Sequence, residues 1–149
     1  MPKEYNKSGI HFQYPDNWQL DDTDTSSDCQ TVSVFSPGGA FWTVSRHTRL
    51  ADAKELAQAA VEAMRQEYAE IEVEAASETI ADHELVGFNL SFYYVDLTNT
   101  AWIRSLRADR STFTIFYQGE DHELKEIQAV MQAMTISFLQ NLPVGNFLD

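Results

Sequence analysis

The sequence predicts an α+β domain in which an antiparallel β-sheet is sandwiched between amphipathic helices. Several segments alternate apolar and polar residues, which is typical of strands buried on one face. Short turns connect these segments, and such turns join antiparallel strands. Two further segments carry apolar residues at helical spacing, and each must bury that stripe against another layer. The predicted order is strand, hairpin, helix, three or four meandering strands and a final helix.

The first half of the chain contains the first strand, the hairpin and the first helix. Residues 10–14 alternate apolar and polar side chains, and a loop without apolar residues follows at 21–28. Residues 30–35 and 40–46 are rich in valine, threonine and aromatic residues, and the Ser-Pro-Gly-Gly sequence between them favours a tight turn. An apolar stripe predicts a helix over residues 52–69, which begins with an aspartate suited to capping.

The second half predicts four strands and a helix, at residues 71–80, 84–95, 101–108, 112–118 and 120–134. Glutamates alternate with apolar residues in the first of these strands, which indicates an outer strand of the sheet. Tyr93, Tyr94 and Val95 place apolar groups on both faces at the end of the next strand. We therefore expect both faces to be covered there, with a turn over residues 96–100.

The size and composition fit one domain. The chain has 149 residues, of which 44% are hydrophobic, and this is enough for a core without disulfides. We assign residues 1–138 to a single domain and residues 139–149 to an apolar C-terminal tail. Because Leu142, Val144 and Phe147 make this tail more apolar than a disordered segment, we expect it to dock on the domain or across a dimer. The sequence leaves monomer and homodimer open.

The charge balance argues against several classes of partner. The net charge of −13 repels nucleic-acid phosphates and anionic lipid. No apolar run approaches the roughly 20 residues that span a bilayer, and the N-terminus lacks the apolar segment of a signal peptide. The single cysteine, Cys29, excludes an internal disulfide and favours a reducing compartment. We therefore expect a cytoplasmic protein that binds neither nucleic acid nor membrane.

The sequence carries no recognisable catalytic apparatus. It lacks the nucleophile elbow, the zinc-protease motif, the phosphate-binding loop and the dinucleotide fingerprint, so we predict no enzyme, no cofactor and no metal. The loop at 21–28 has aspartates at the odd spacing of a calcium loop, but Ser27 stands where that loop needs glycine. It is interpreted as solvated, with a weak cation site as the alternative. Nothing in the sequence places a histidine beside Cys29, so its thiol is interpreted as inert.

Two groups of side chains remain as binding candidates. The first can receive a carboxylate or phosphate, and it consists of Arg46, His47, Arg49, Arg104, Arg107 and Arg110. Positions 104 and 107 have opposite parity on a strand and should point to opposite faces, so pairing with the acidic surplus is the alternative. The second group is aromatic and belongs either to the core or to an exposed groove. The candidate site residues are Trp42, Arg46, His47, Trp102, Arg104 and Arg107.

The opening of the chain resembles a known family. Residues 9–18 read Gly-Ile-His-Phe-Gln-Tyr-Pro-Asp-Asn-Trp, similar to the glycine–hydrophobic–x–Phe–x–Tyr–Pro–x–x–Trp start of PsbP-like domains. Residues 134–138 are similar to the close of that family, so the resemblance spans residues 9–138. These domains include a photosystem II extrinsic subunit, a Ran-binding nuclear-transport factor and small bacterial proteins, some of which are chaperones or adaptors for type VI secretion effectors. The resemblance implies an antiparallel sheet between helices and the binding of macromolecules.

Two functions follow as hypotheses. The first is a non-catalytic protein-binding or adaptor module, in which aromatic and aliphatic surface on the sheet or in a helix–sheet groove holds another protein. Acidic surroundings favour a basic partner. Its sharpest form, a chaperone-like binder, is implied by the resemblance alone. The alternative is a small-ligand binder or small enzyme with a pocket lined by arginine and histidine.

Overall fold

A seven-stranded antiparallel sheet forms the middle layer of the protein. The computed structural model describes residues 1–26, 28–48 and 51–143. In their order across the sheet, the strands are β3 (Gln19–Asp21), β4 (Cys29–Phe35), β5 (Phe41–His47), β9 (Ser111–Glu120), β8 (Leu97–Ala108), β7 (His83–Tyr94) and β6 (Ile71–Ile80). Helices α1 (Ala53–Glu67) and α2 (Asp121–Gln140) complete the main layers.

The two helices cover opposite faces of this sheet. Trp42 of β5 lies in register with Tyr117 of β9, and it packs against Phe138 of α2. On the other face, Ile103 of β8 packs with Val61 of α1. This arrangement confirms the predicted sheet sandwiched between amphipathic helices, because each helix buries its apolar stripe on a different side.

Local signals explain the elements that the sequence predicted well. The β4–β5 hairpin has the predicted turn, where Gly39 adopts a φ of 102° that favours glycine. Helix α1 begins after Asp52, whose carboxylate accepts hydrogen bonds from the backbone N–H groups of Lys54 and Glu55. Such a cap satisfies donors that a helix start otherwise leaves unpaired.

An N-terminal hairpin lies outside the seven-stranded sheet. Strands β1 (Lys3–Lys7) and β2 (Ile10–Tyr14) pair with each other in a separate two-stranded sheet. The sequence did not predict β1, because polar residues dominate it. Phe12 of β2 packs against Trp42 with the rings tilted by 54° at a centroid distance of 4.8 Å, and it thereby closes one side of the core.

Two predicted boundaries were wrong. The second helix continues to Gln140 and not only to residue 134, since Phe138 and Leu139 extend its buried stripe. The turn predicted over 96–100 consists of Val95 and Asp96 alone, and β8 already begins at Leu97. Burial against the core extends α2, and pairing with β7 extends β8. Neither effect is visible in the sequence of the segment itself.

The chain beyond the predicted domain end still contributes to the core. Leu139 is fully buried and Leu142 is 7% exposed. The rest of the predicted tail, residues 144–149, lies outside the described residues. No helix in the described ranges has both the length and the apolar character needed to cross a membrane.

Candidate functional site

The β7–β8 hairpin ends in an exposed apolar tip, which we define as residues 93–97. Tyr93 and Val95 are both 73% exposed, and Tyr94 and Leu97 are 57% and 48% exposed. The expectation that both faces are covered at the end of β7 was therefore wrong. Half of the exposed large hydrophobic side chains in the described chain lie in this one turn. A contiguous apolar patch of this kind is typical of an interaction surface.

Val95 also has an unfavourable backbone conformation. It adopts a φ of 52° and Asp96 a φ of 62°, as the two central residues of a tight hairpin turn. Asparagine and glycine are the residues that such turns favour, and a β-branched residue is a genuine outlier in this region. An exposed valine gains little from burial here, so neither burial nor backbone preference explains its presence.

Aromatic packing holds the base of the tip in place. Tyr94 meets Tyr68 edge-on at 5.7 Å, and Tyr68 packs on Phe92 at 4.2 Å. Tyr68 caps the end of α1, and its hydroxyl accepts a hydrogen bond from Gln118. The base of the tip therefore packs where α1 meets the sheet. This packing fixes the position of the exposed apolar side chains.

An acidic cleft of about 560 Å³ adjoins the tip. Its carboxylates belong to Glu70 and Glu72 around the start of β6 and to Asp121 at the start of α2. Arg65 is the one basic residue in this lining, and its guanidinium pairs with Glu62 at 3.7 Å. Tyr93 lines both the tip and the cleft. An apolar projection beside an excess of negative charge suits a segment with apolar and basic residues.

The structure separates the two candidate tryptophans. Trp42 is fully buried, and its indole Nε1–H donates to Thr135 Oγ1 at 3.0 Å. Trp102 is half-buried and stacks on Tyr117 at 4.9 Å. Trp42 therefore belongs to the core, whereas Trp102 lines a small cleft of about 150 Å³ between α2 and the sheet.

Arg104 and Trp102 do come together. The Arg104 guanidinium lies 4.5 Å above the Trp102 ring, and its Nε donates to Glu78 Oε2 at 2.6 Å. To reach Glu78 it crosses Gly87, where an added Cβ would lie 1.8 Å from the Ile103 carbonyl oxygen. Together with the bond to Glu78, further hydrogen bonds to Asn89 and to backbone carbonyls engage four of the five N–H donors of the buried guanidinium. This side chain is engaged internally and is not offered to a ligand.

The other candidate basic residues do not converge. Arg46 donates to Ser111 Oγ and to the Ser8 carbonyl, and it thereby fastens the β1–β2 turn to the sheet. His47 and Arg107 lie on the opposite face from Arg104, in one row through Thr112, and this bears out the parity argument. Burial lowers the pKa of His47. Arg49 lies outside the described residues.

The strand register also shows which histidine lies near Cys29, a proximity that the sequence did not predict. Cys29 lies directly opposite His47 across β4 and β5. The Cys29 sulfur lies 3.8 Å from Thr31 Oγ1. A nucleophilic thiol needs a base within hydrogen-bond reach, and among the described residues the hydrogen-bond partner of the sulfur is Thr31.

The acidic loop is partly engaged by its surroundings. Asp22 accepts a hydrogen bond from the Tyr5 hydroxyl at 3.1 Å. Burial, together with this bond and the charge of Asp22, raises the pKa of Tyr5 to about 12. Asp21 accepts from Thr23. Within residues 1–26, 28–48 and 51–143, no three His, Cys, Asp or Glu side chains are placed to hold a metal ion, and Ser27 is not among the described residues.

These features define the class of fold. An antiparallel sheet between two helices, with an N-terminal hairpin on the α2 side, is the PsbP-like fold. The cyanobacterial PsbP protein CyanoP from Synechocystis superimposes with a TM-score of 0.64 at 11% identity, covering 91% of this chain and 90% of its own. The resemblance predicted from residues 9–138 is thus confirmed at the level of fold.

Two other solved structures are similar. PA94 of Pseudomonas aeruginosa, a protein of unknown function, has a TM-score of 0.50 at 12% identity, covering 91% of this chain and 94% of its own. LpqN of Mycobacterium tuberculosis, which is involved in cell envelope biogenesis, has a TM-score of 0.49 at 13% identity, covering 90% and 86%. No protein-family model matches the sequence, and neither does any curated protein.

Replacing Val95 with asparagine should stabilise the protein. Asparagine tolerates the left-handed conformation that valine disfavours, so Val95→Asn is expected to add about 1 kcal/mol to the free energy of unfolding. Urea unfolding measures this change. Asp109→Asn is the matched control, because Asp109 occupies the same turn position between β8 and β9 with a φ of 50°. An unchanged or lower stability of Val95→Asn would contradict the assigned strain.

Proposed function

We propose that this chain is a non-catalytic protein-binding module that holds a segment of another protein at the hairpin tip and the acidic cleft. The single observation that carries the proposal is Val95, an exposed β-branched residue held in a left-handed conformation. Residues kept in sparsely populated backbone regions cluster at functional sites. Folding alone favours asparagine or glycine here, so a contact made by the valine side chain accounts for it.

Charge indicates the chemistry of the bound segment. The tip offers Tyr93, Val95 and Leu97, while Asp96 and the acidic cleft surround them with carboxylates. The chain as a whole carries a net charge of −13. A segment that combines apolar anchors with lysine or arginine complements both features, because opposite charge steers the encounter and apolar burial holds the complex. A cytoplasmic setting and a chaperone-like role belong to the same proposal.

The rival function receives less support. A small-ligand site lined by arginine and histidine requires that Arg46, His47, Arg104 and Arg107 converge. Arg104 is held by Glu78 and Asn89, and Arg46 is held by Ser8 and Ser111. Arg107 and His47 lie on the other face from both of them. Arg46 and Arg104 therefore have structural partners that explain their presence, and they do not share a face with His47 and Arg107.

Selection from a library of random linear peptides tests the proposal with the purified chain as target. We expect enriched peptides to carry both basic and apolar residues. A synthetic peptide of the consensus should lose about tenfold in affinity to Leu97→Ser, as apolar anchors do when truncated. Fluorescence anisotropy measures this affinity.

Ile136→Ser provides the matched control. Ile136 is 41% exposed, close to the 48% of Leu97, but it lines the small cleft beside α2. Binding should be unchanged in this variant. Loss of binding in Ile136→Ser with retention in Leu97→Ser would overturn the assignment of the tip and place the site at that cleft.

A further inference from the structure

The two edges of the main sheet differ greatly in length. One edge strand, β3, has three residues, whereas β6 at the other edge has ten. Proteins usually keep edge strands short because an open edge can pair with another chain. A ten-residue edge is long even for an interior strand, whose usual length is about five or six residues. The length of β6 therefore requires an explanation.

β6 also lacks most of the devices that normally block an edge. Its register with β7 runs unbroken from Ile71 opposite Phe92 to Ile80 opposite His83, so no bulge twists it away. Its sequence, Ile-Glu-Val-Glu-Ala-Ala-Ser-Glu-Thr-Ile, contains neither proline nor lysine. Glutamate is the one blocking residue that it carries.

The outer backbone of β6 has no partner within the described residues. No backbone hydrogen bond outside the β6–β7 ladder engages residues 71–80 there. In an antiparallel ladder every second residue points its N–H and C=O outward. About five residues of β6 thus present unpaired donors and acceptors along this edge, as an open antiparallel edge does.

The glutamates disfavour pairing with a second copy. Glu72, Glu74 and Glu78 lie on one face of the sheet, the face of Trp102. Two-fold antiparallel pairing centred on Ala76 sets Glu74 opposite Glu78, and pairing centred on Ala75 sets Glu72 opposite Glu78. Like charges directly opposite each other destabilise a strand pair. Each register that uses nearly all of β6 sets Glu72 or Glu74 against a Glu78 that is already paired with Arg104, so a second copy supplies no basic partner for these carboxylates.

We propose that β6 accepts an extended segment of a partner as an eighth strand, and that this segment alternates basic and apolar residues. This deepens the proposed function and rests on it, because the acidic cleft joins the start of β6 to the hairpin tip through Glu72. Basic side chains would face Glu72 and Glu74, since Glu78 is already paired with Arg104. Apolar side chains would face the other side, which carries Ile71 and Val73. The carboxylates for which a second copy offers no basic partner would then select this segment.

The test uses a blocked peptide that alternates lysine and valine, with the full chain as receptor. We expect it to bind and to slow hydrogen exchange of β6 backbone amides, measured residue by residue by NMR. A peptide of the same sequence with an N-methyl group at every residue should not bind, because it keeps the charge but can donate no backbone hydrogen bond from either edge. The double variant Glu72→Lys with Glu74→Lys should weaken binding at least about tenfold, since two cross-strand ion pairs are reversed.

The control variant Glu4→Lys with Glu126→Lys changes net charge equally but lies on β1 and α2, away from this edge. Its affinity should stay within about twofold of the parent, because exposed charges act weakly at a distance. Equal binding of the N-methylated peptide would overturn the proposal in favour of non-specific charge attraction. Concentration-dependent dimerisation through β6 would overturn it in favour of a second copy.

The outcomes also separate this inference from the proposed function. If Leu97→Ser abolishes binding of selected peptides but no probe protects the β6 amides, the tip site stands and the eighth strand is wrong. If the alternating peptide protects β6 while the tip variants bind selected peptides normally, the edge stands and the tip assignment is wrong.

Discussion

Replacing Trp42 with alanine should destabilise the protein by about 3–5 kcal/mol, which is the usual cost of removing a large buried aromatic side chain. Trp42 is fully buried between Phe12 and Phe138. The substitution also leaves Thr135 without its indole donor, although the Thr135 hydroxyl still donates to the Met131 carbonyl. Urea unfolding monitored by circular dichroism measures the loss, with an unchanged m-value indicating a change of stability alone.

Trp102→Ala provides the comparison between removing a half-buried tryptophan and removing a fully buried one. Trp102 is half-buried and is covered by Tyr117 and Arg104 rather than by the core. Its removal should therefore cost clearly less than the removal of Trp42. A Trp42→Ala variant that kept its stability and lost peptide binding would show that Trp42 acts in recognition, as the sequence had left open.

The buried ion pair should respond asymmetrically to the loss of its two partners. Glu78→Ala leaves the Arg104 guanidinium, which is 4% exposed, without its carboxylate. Removing one partner of a buried pair leaves an uncompensated charge and costs several kcal/mol. Because Glu78 itself is 37% exposed and water can reach the pair, we expect about 2–3 kcal/mol, below the fully buried range.

Arg104→Met should cost less, about 1 kcal/mol, because methionine retains contact with Trp102 and the freed Glu78 carboxylate can hydrate. In the double variant Glu78→Ala with Arg104→Met, the loss of Glu78 should add little to the destabilisation caused by Arg104→Met alone. A double-mutant cycle built on urea unfolding measures this coupling. If Arg104→Met proved more damaging than Glu78→Ala, the hydrogen bonds of Arg104 to Asn89 and the backbone carbonyls would outweigh the ion pair.

Local signals account for what the sequence predicted correctly. The β4–β5 hairpin follows from Pro-Gly-Gly between two β-rich segments, and α1 follows from an apolar stripe behind an Asp52 cap. The edge position of β6 agrees with its alternating glutamates, which water reaches readily on an outer strand. The helical layers also follow from the sequence, because each amphipathic helix must bury its apolar stripe against the sheet.

The site could not be predicted in the same way. The apolar residues 93–95 indicated a covered strand end, because their number suggested burial and nothing local showed that no layer reaches them. The one local signal of a two-residue turn was Val95-Asp96, which lies between the long alternating segments that form β7 and β8. Its positive φ values become visible only when both strands are paired in register.

The sequence by itself determined the α+β class, the order of the elements other than β1 and β3, and the acidic character of the molecule, since each depends on residues close together in the chain. Only the tertiary structure decided that Trp42 is interior, that Arg104 crosses Gly87 to Glu78, and that the tip stays exposed beside an open β6 edge. These facts depend on strand order and register. They join residues far apart in the sequence, and no local propensity specifies which strands become neighbours.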